Sequence, residues 1–153
     1  MNSSAAPRPT GIDPRGPRFG AALTSVLLAA TVLAGTSTAA FVLLGIAIGL
    51  FVLGAVRGAQ GTVQGWVFTT FVRPRIGAPA ELEDPRPPRF AQQVGLVITG
   101  AGLVLGLLLA PVAVPVAAGI ALVAAFLNAA FNVCLGCEMY LLIQRVTPAR
   151  PTV

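Results

Sequence analysis

Two stretches of the chain, residues 19–56 and 90–137, carry no charged side chain. A bilayer core of about 30 Å is crossed by about 20 helical residues, so each stretch holds two spans and a turn. Gly35, Thr36, Ser37 and Thr38 mark the first turn, and the segment bounded by Pro111 and Pro115 marks the second. The pattern predicts spans over 19–34, 39–56, 91–110 and 116–132. After each hairpin the hydrophobicity falls and becomes one-sided. The tail at 58–72 contains Trp66, Phe68 and Phe71, and the tail at 134–146 contains Met139, Tyr140, Leu141 and Leu142. Both read as amphipathic helices lying in the membrane interface. The fold class is therefore an all-α membrane protein of four transmembrane helices, arranged as two repeated hairpins, each followed by an interfacial helix.

The repeat is visible in the letters. Asp13-Pro14-Arg15-Gly16-Pro17-Arg18-Phe19 returns as Asp84-Pro85-Arg86-Pro87-Pro88-Arg89-Phe90, with six of seven residues identical. Each copy stands immediately before a hairpin, so the halves share orientation and are related by an axis along the membrane normal. The organisation follows: a mobile start (1–10), repeat 1 (11–72), a Pro-rich acidic loop (73–83), repeat 2 (84–147) and a mobile tail (148–153). A cleaved signal peptide over 1–40, ending near Thr38, Ala39 and Ala40, is the competing reading. It would delete the first span and break the repeat.

Charge adds orientation. Charged residues make up 10% of the 153-residue chain, against roughly 25% in soluble domains. All ten basic residues are Arg, and mean hydropathy is +0.85. Arginines precede the first span, fill the region between the second and third, and follow the fourth; the two short turns have none. Excess Arg marks the cytoplasmic side, so both termini and the central loop are expected to be cytoplasmic, with the protein multi-pass in the cytoplasmic membrane. Topology thus accounts for the +5 charge, and nucleic acid is not an expected partner. The lipid bilayer is. Arg15, Arg18, Arg86, Arg89 and Trp66 read as membrane anchors, the arginines reaching headgroup phosphates and Asp13 and Asp84 capping helix starts. Arg73, Arg75, Glu81, Glu83 and Asp84 form either a docking surface for a cytoplasmic partner or a self-paired connector.

One constellation carries chemistry. Cys134 and Cys137 are the only cysteines, spaced CxxC, in Asn132-Val133-Cys134-Leu135-Gly136-Cys137-Glu138. In the first turn of a helix this spacing brings the sulfurs within bridging distance, and the helix N-terminus favours a thiolate on the first. Cys134 is the expected attacking thiol and Cys137 the resolving one. Glu138 is an auxiliary proton acceptor. Asn132 and Asn128 are polar groups that face protein and break the fourth helix. Arg57 or Arg89, in the same layer, would stabilise the thiolate on close approach. The competing reading is inert packing, since cysteine is also a small hydrophobe. The chain contains no His, which excludes Ser-His-Asp triads and His-ligated metals. Two thiolates leave a tetrahedral ion half-ligated, so no metal and no cofactor are expected; only a homo-oligomer could supply four thiolates.

Ile12-Asp13-Pro14-Arg15, Arg73-Pro74-Arg75, the run from Glu81-Leu82-Glu83-Asp84-Pro85 to Phe90-Ala91-Gln92, and Cys134-Leu135-Gly136-Cys137-Glu138-Met139-Tyr140 together resemble a family of small bacterial integral-membrane proteins of unassigned function. The resemblance implies a four-helix membrane fold and a genetic neighbourhood of thioredoxin-like proteins and sulfurtransferases, which become the expected partners. Three functions remain in view: a thiol-redox or sulfur-relay protein, a non-enzymatic membrane scaffold, and a small oligomeric transporter. Whether the chain is an enzyme is left open.

Overall fold

The computed structural model describes residues 11–147; the terminal segments read as mobile lie outside the described residues. Four long apolar helices form the body: α1 (Arg15–Ala34), α2 (Thr38–Arg57), α5 (Arg86–Leu108) and α6 (Ala113–Phe131). Each is long and apolar enough to cross a membrane. Between α2 and α5 lie α3 (Val63–Val67), a π-helical turn (Phe68–Val72) and α4 (Arg73–Ile76). After α6 comes α7 (Leu135–Val146).

The spans begin earlier than hydropathy predicts. Pro14 and Pro85 stand just before α1 and α5, and the Asp13 and Asp84 carboxylates accept the first backbone N–H groups, of Arg15 and Arg86, at 3.0 and 2.9 Å. Helix α6 starts at Ala113, inside the expected turn. Pro115 sits in its first turn, where a missing N–H costs nothing. The first tail continues as helix through Pro74, into a stretch expected to be loop. The π-helical turn makes room for this: its longer bonds, such as Arg73 N–H to Phe68 C=O, carry the chain across the donor that Pro74 lacks.

Going round the bundle the order is α1, α2, α5, α6, so each first helix packs on the second helix of the other repeat. The core is Leu28, Ala40, Leu44, Phe51, Val114 and Ala118. Thr31 and Thr99 are fully buried, and their hydroxyls donate to Leu27 C=O and Gly95 C=O one turn back. Such bonds satisfy a polar group where water is absent.

The two halves clasp each other reciprocally. Arg18 Nε donates to Ala129 C=O at the end of α6 (2.9 Å), and Arg89 Nε donates to Ala55 C=O near the end of α2 (2.7 Å). Ile12 and Glu83, the residues before the two motifs, exchange both backbone hydrogen bonds at 2.9 Å. The starts of α1 and α5 and the ends of α2 and α6 therefore share one end of the molecule.

Candidate functional site

At that end the chain leaves α6 through Asn132, whose left-handed backbone (φ 58°) matches the positive φ of Gly58 after α2. Two residues later Cys134 caps α7. Its extended backbone turns the sulfur inward, and the Cys137 N–H donates to Cys134 Sγ at 3.3 Å. The cysteines form a disulfide, with Cα atoms 5.1 Å apart. Both are half-buried, and Glu138 beside them is exposed.

Thr62 does the same work in the first repeat. It caps α3, and the Gly65 N–H donates to Thr62 Oγ1 at 3.0 Å. Six residues after each cap an aromatic ring meets the Phe of the motif: Phe68 against Phe19 (5.8 Å between ring centres) and Tyr140 against Phe90 (5.6 Å). The register Thr62–Cys134, Gln64–Gly136, Gly65–Cys137 is thus fixed by packing.

A cleft of about 760 Å³ runs from the cysteines into the bundle. Cys134, Cys137, Glu138, Asn132 and Asn128 line its outer part; Ala121, Ala125, Gly95 and Ile98 line its apolar depth. The cleft exists because the two halves are filled differently. Aligning the ends of α2 and α6 pairs Ala40 with Val114, Leu44 with Ala118 and Ala47 with Ala121, all six buried. The same register pairs Phe51 with Ala125 and Gly54 with Asn128. At the seam between α2 and α5 the Phe51 ring lies against Gly95, and the Gln92 side chain lies over Gly54. Gln64 also reaches Thr24, its Nε2 donating to Oγ1 at 3.1 Å. In repeat 2 alanine stands for Phe51, and Gly136, in place of Gln64, lets α7 approach Ala91 of α5 closely. The space is left beside the cysteines.

The arginines expected as anchors have protein partners. Arg15 and Arg86 pair with Asp13 and Asp84 at 2.8 and 2.6 Å. Arg15 also donates to Gly77 C=O, tying the central loop to the start of α1. The two carboxyls are held below the ordinary carboxylate range, chiefly by the arginine side-chain hydrogen bonds. Arg18 and Arg89 cap helix ends. Of the two, Arg18 is the one at the end of α6, next to the chain entering the cysteine motif; sequence reasoning had named Arg57 and Arg89. Trp66 is exposed, edge-on to Phe71 at 5.8 Å. Arg73, Arg75 and Glu81 are exposed on α4 and the loop after it; Arg75 donates to Phe71 C=O. The structure does not bring this acidic–basic loop into one cluster with the cysteines, although Glu83 and Asp84 reach the cleft mouth. No group of three or more His, Cys, Asp or Glu able to hold a metal occurs among the described residues.

Sequence reasoning missed the partnership of Thr62 with Cys134 and the roles of Ala125 and Gly136. Thr62 was detectable as a favoured cap residue before an apolar run. Ala125 carried no signal of its own.

No curated protein and no solved structure matches the chain. A family model does: residues 12–145 match the model described as Domain of unknown function (DUF4395). With its four apolar spans and that match over nearly its whole length, the chain belongs to the DUF4395 family of unknown function.

Proposed function

We propose that this membrane protein is a thiol–disulfide partner, with Cys134–Cys137 exchanging electrons with a soluble thioredoxin-like or sulfurtransferase protein. One observation carries the reading. The capping task of Cys134 is done in the sister repeat by Thr62 with an ordinary hydroxyl. The fold therefore has no need of sulfur there, and two sulfurs stand at one helix head beside an open cleft. The Cys137 N–H on Cys134 Sγ, together with the helix N-terminus, favours a thiolate on Cys134. In the exchange, a partner thiolate attacks the disulfide, releases one sulfur as thiol, and forms a mixed disulfide. The partner's second thiol then attacks its own sulfur in that bond and releases the remaining cysteine as thiol. The partner leaves oxidised and Cys134 and Cys137 leave reduced; the reverse runs from Cys134 thiolate on a partner disulfide, with Cys137 resolving. Glu138 is the nearby proton acceptor, and Asn132 sets the turn into the motif.

The reading includes a topology: the arginine end faces the cytoplasm of a bacterial cell, with Arg73, Arg75, Glu81, Glu83 and Asp84 as the partner's approach surface. Single cysteines replacing Ser37 or Ala80, in a Cys134→Ser/Cys137→Ser background, report it. Residue 37 should react with an impermeant thiol reagent in intact cells, and residue 80 should not. Labelling of residue 80 from outside overturns the orientation.

The test of the redox role is a titration against glutathione, with alkylated thiols counted by mass. A two-electron transition near the thioredoxin range of about −270 mV is expected. Cys137→Ser should accumulate a mixed disulfide through Cys134. Thiols that stay reduced at every oxidising poise would remove the proposal.

A further inference from the structure

We propose that the cleft beside Cys134 and Cys137 binds a lipid-soluble quinone that takes the electrons of the reduced pair; this rests on the redox reading above. The argument is the difference between the two repeats. Where the α2–α5 seam is closed, by Phe51 against Gly95 and Gln92 over Gly54, the matching positions of α6 beside α1 are Ala125 and Asn128, and the cleft lies there. The hollow is walled by α1, α5, α6 and α7 with Phe51 of α2, and both cysteines line it. Its volume, about 760 Å³, lies in the range of small-molecule sites. Its depth is apolar, and Ile120 and Val123 of its lining are exposed on the outer face of α6, so it opens toward the hydrocarbon. Its outer part holds the side-chain amides of Asn128 and Asn132, donors for a carbonyl oxygen. An apolar body with carbonyls at one end, reaching the site from lipid and accepting two electrons, is a quinone.

The step balances without another reactant. The two S–H bonds of Cys134 and Cys137 break and one S–S bond forms. Two electrons and two protons pass to the quinone, and both of its carbonyl oxygens become hydroxyls. The dithiol is oxidised and the quinone reduced to quinol, which leaves into the bilayer. Glu138, at the cleft mouth, is placed to take a proton in transit.

The experiment uses the full chain in nanodiscs, reduced and freed of reductant, with decylubiquinone as probe. Its ring has no open position for direct thiol addition. Wild type should lose two thiols per quinol formed. Ala125→Phe copies the filling of repeat 1 and should slow quinol formation at least tenfold, while oxidation by glutathione disulfide is unchanged. Asn128→Gly copies Gly54 and should raise the quinone concentration needed for half-maximal rate; it serves if Ala125→Phe does not fold. A pair that titrates with glutathione but ignores decylubiquinone overturns the quinone site and leaves the redox reading intact. So does an Ala125→Phe rate equal to wild type, which would make the cleft a seat for a lipid chain. A pair that titrates with neither oxidant removes the redox reading itself.

Discussion

Thr62 and Cys134 occupy the same position at the heads of two helices, each accepting the backbone N–H three residues on, one with oxygen at 3.0 Å and one with sulfur at 3.3 Å. Oxygen is the better acceptor, so Cys134→Thr should cap α7 at least as well as reduced cysteine does. The reduced wild type and Cys134→Thr should unfold within about 1 kcal/mol of each other, and Cys134→Ala should fall about 1 kcal/mol lower through the lost cap. Thermal unfolding of reduced protein in micelles reads this. A severe loss in Cys134→Thr would mean that the sulfur is needed for packing.

Arg18 and Arg89 each bind the C-terminal carbonyls of a helix from the other repeat. A cation there satisfies orphan acceptors and opposes the negative end of the helix dipole, worth about 0.3–1 kcal/mol when exposed. Arg18→Gln and Arg89→Gln should therefore destabilise by similar small amounts in that range. Equal effects express the reciprocal clasp; a loss confined to one variant would show that the other contact does not hold in solution. Unfolding midpoints of the two single variants decide it.

The spans, their order and the repeat were legible in the sequence because charge-free length and the DPRxPRF letters survive without knowledge of packing. Positions such as Arg18 were read correctly as lying at a helix start and assigned to lipid. Their partners are carbonyls of Ala129 and Ala130, more than a hundred residues away, and no local pattern reveals which helix end lies beside which. The helix through Pro74 was hidden for a different reason: the π-helical turn that accommodates it leaves no mark in hydropathy. Cys134 was singled out by its chemistry, but its equivalence to Thr62 rests on cap geometry, since Thr62-Val63-Gln64-Gly65 and Cys134-Leu135-Gly136-Cys137 share no letter in register. The cleft was illegible because Ala125 acquires meaning only against Phe51.

Acid should act through the motif carboxylates. Asp13 and Asp84 are held below the ordinary range of about 3.9 by the hydrogen bonds from Arg15 and Arg86. A lowered folded value stabilises the ionised, folded form above the unfolded value, and that contribution is lost as pH falls below about 4 through the folded value. The Asp84–Arg86 pair is largely solvated and the Asp13 carboxylate is mostly covered beside a half-exposed Arg15, so the effect is a modest slope carried more by Asp13. The unfolding midpoint of wild type should decline below about pH 4, and the Asp13→Asn/Asp84→Asn double variant should decline less steeply over the same window. Identical slopes would place the acid sensitivity elsewhere.

A close contact between α5 and α6 can be tested on one helix with its own control. Gly102 of α5 is buried, and a Cβ placed there would strike the Ala117 methyl of α6 and stand 3.2 Å from Ala113 C=O. Neither obstacle can swing aside: one is a methyl fixed to a helix and the other is backbone. Gly102→Ala must push α5 and α6 apart, and an overpacked core of this kind costs about 1–3 kcal/mol. Gly100, on the same helix, has nothing within 4 Å of the corresponding position. Gly100→Ala should be neutral or stabilising by up to about 1 kcal/mol, the helix preference of alanine over glycine. Because helices in lipid associate through close backbone approach at small residues, the pair separates packing from propensity within two positions. Unfolding in mixed micelles should rank Gly100→Ala at or above wild type and Gly102→Ala clearly below. The reverse order would mean that α5 and α6 do not meet at Gly102.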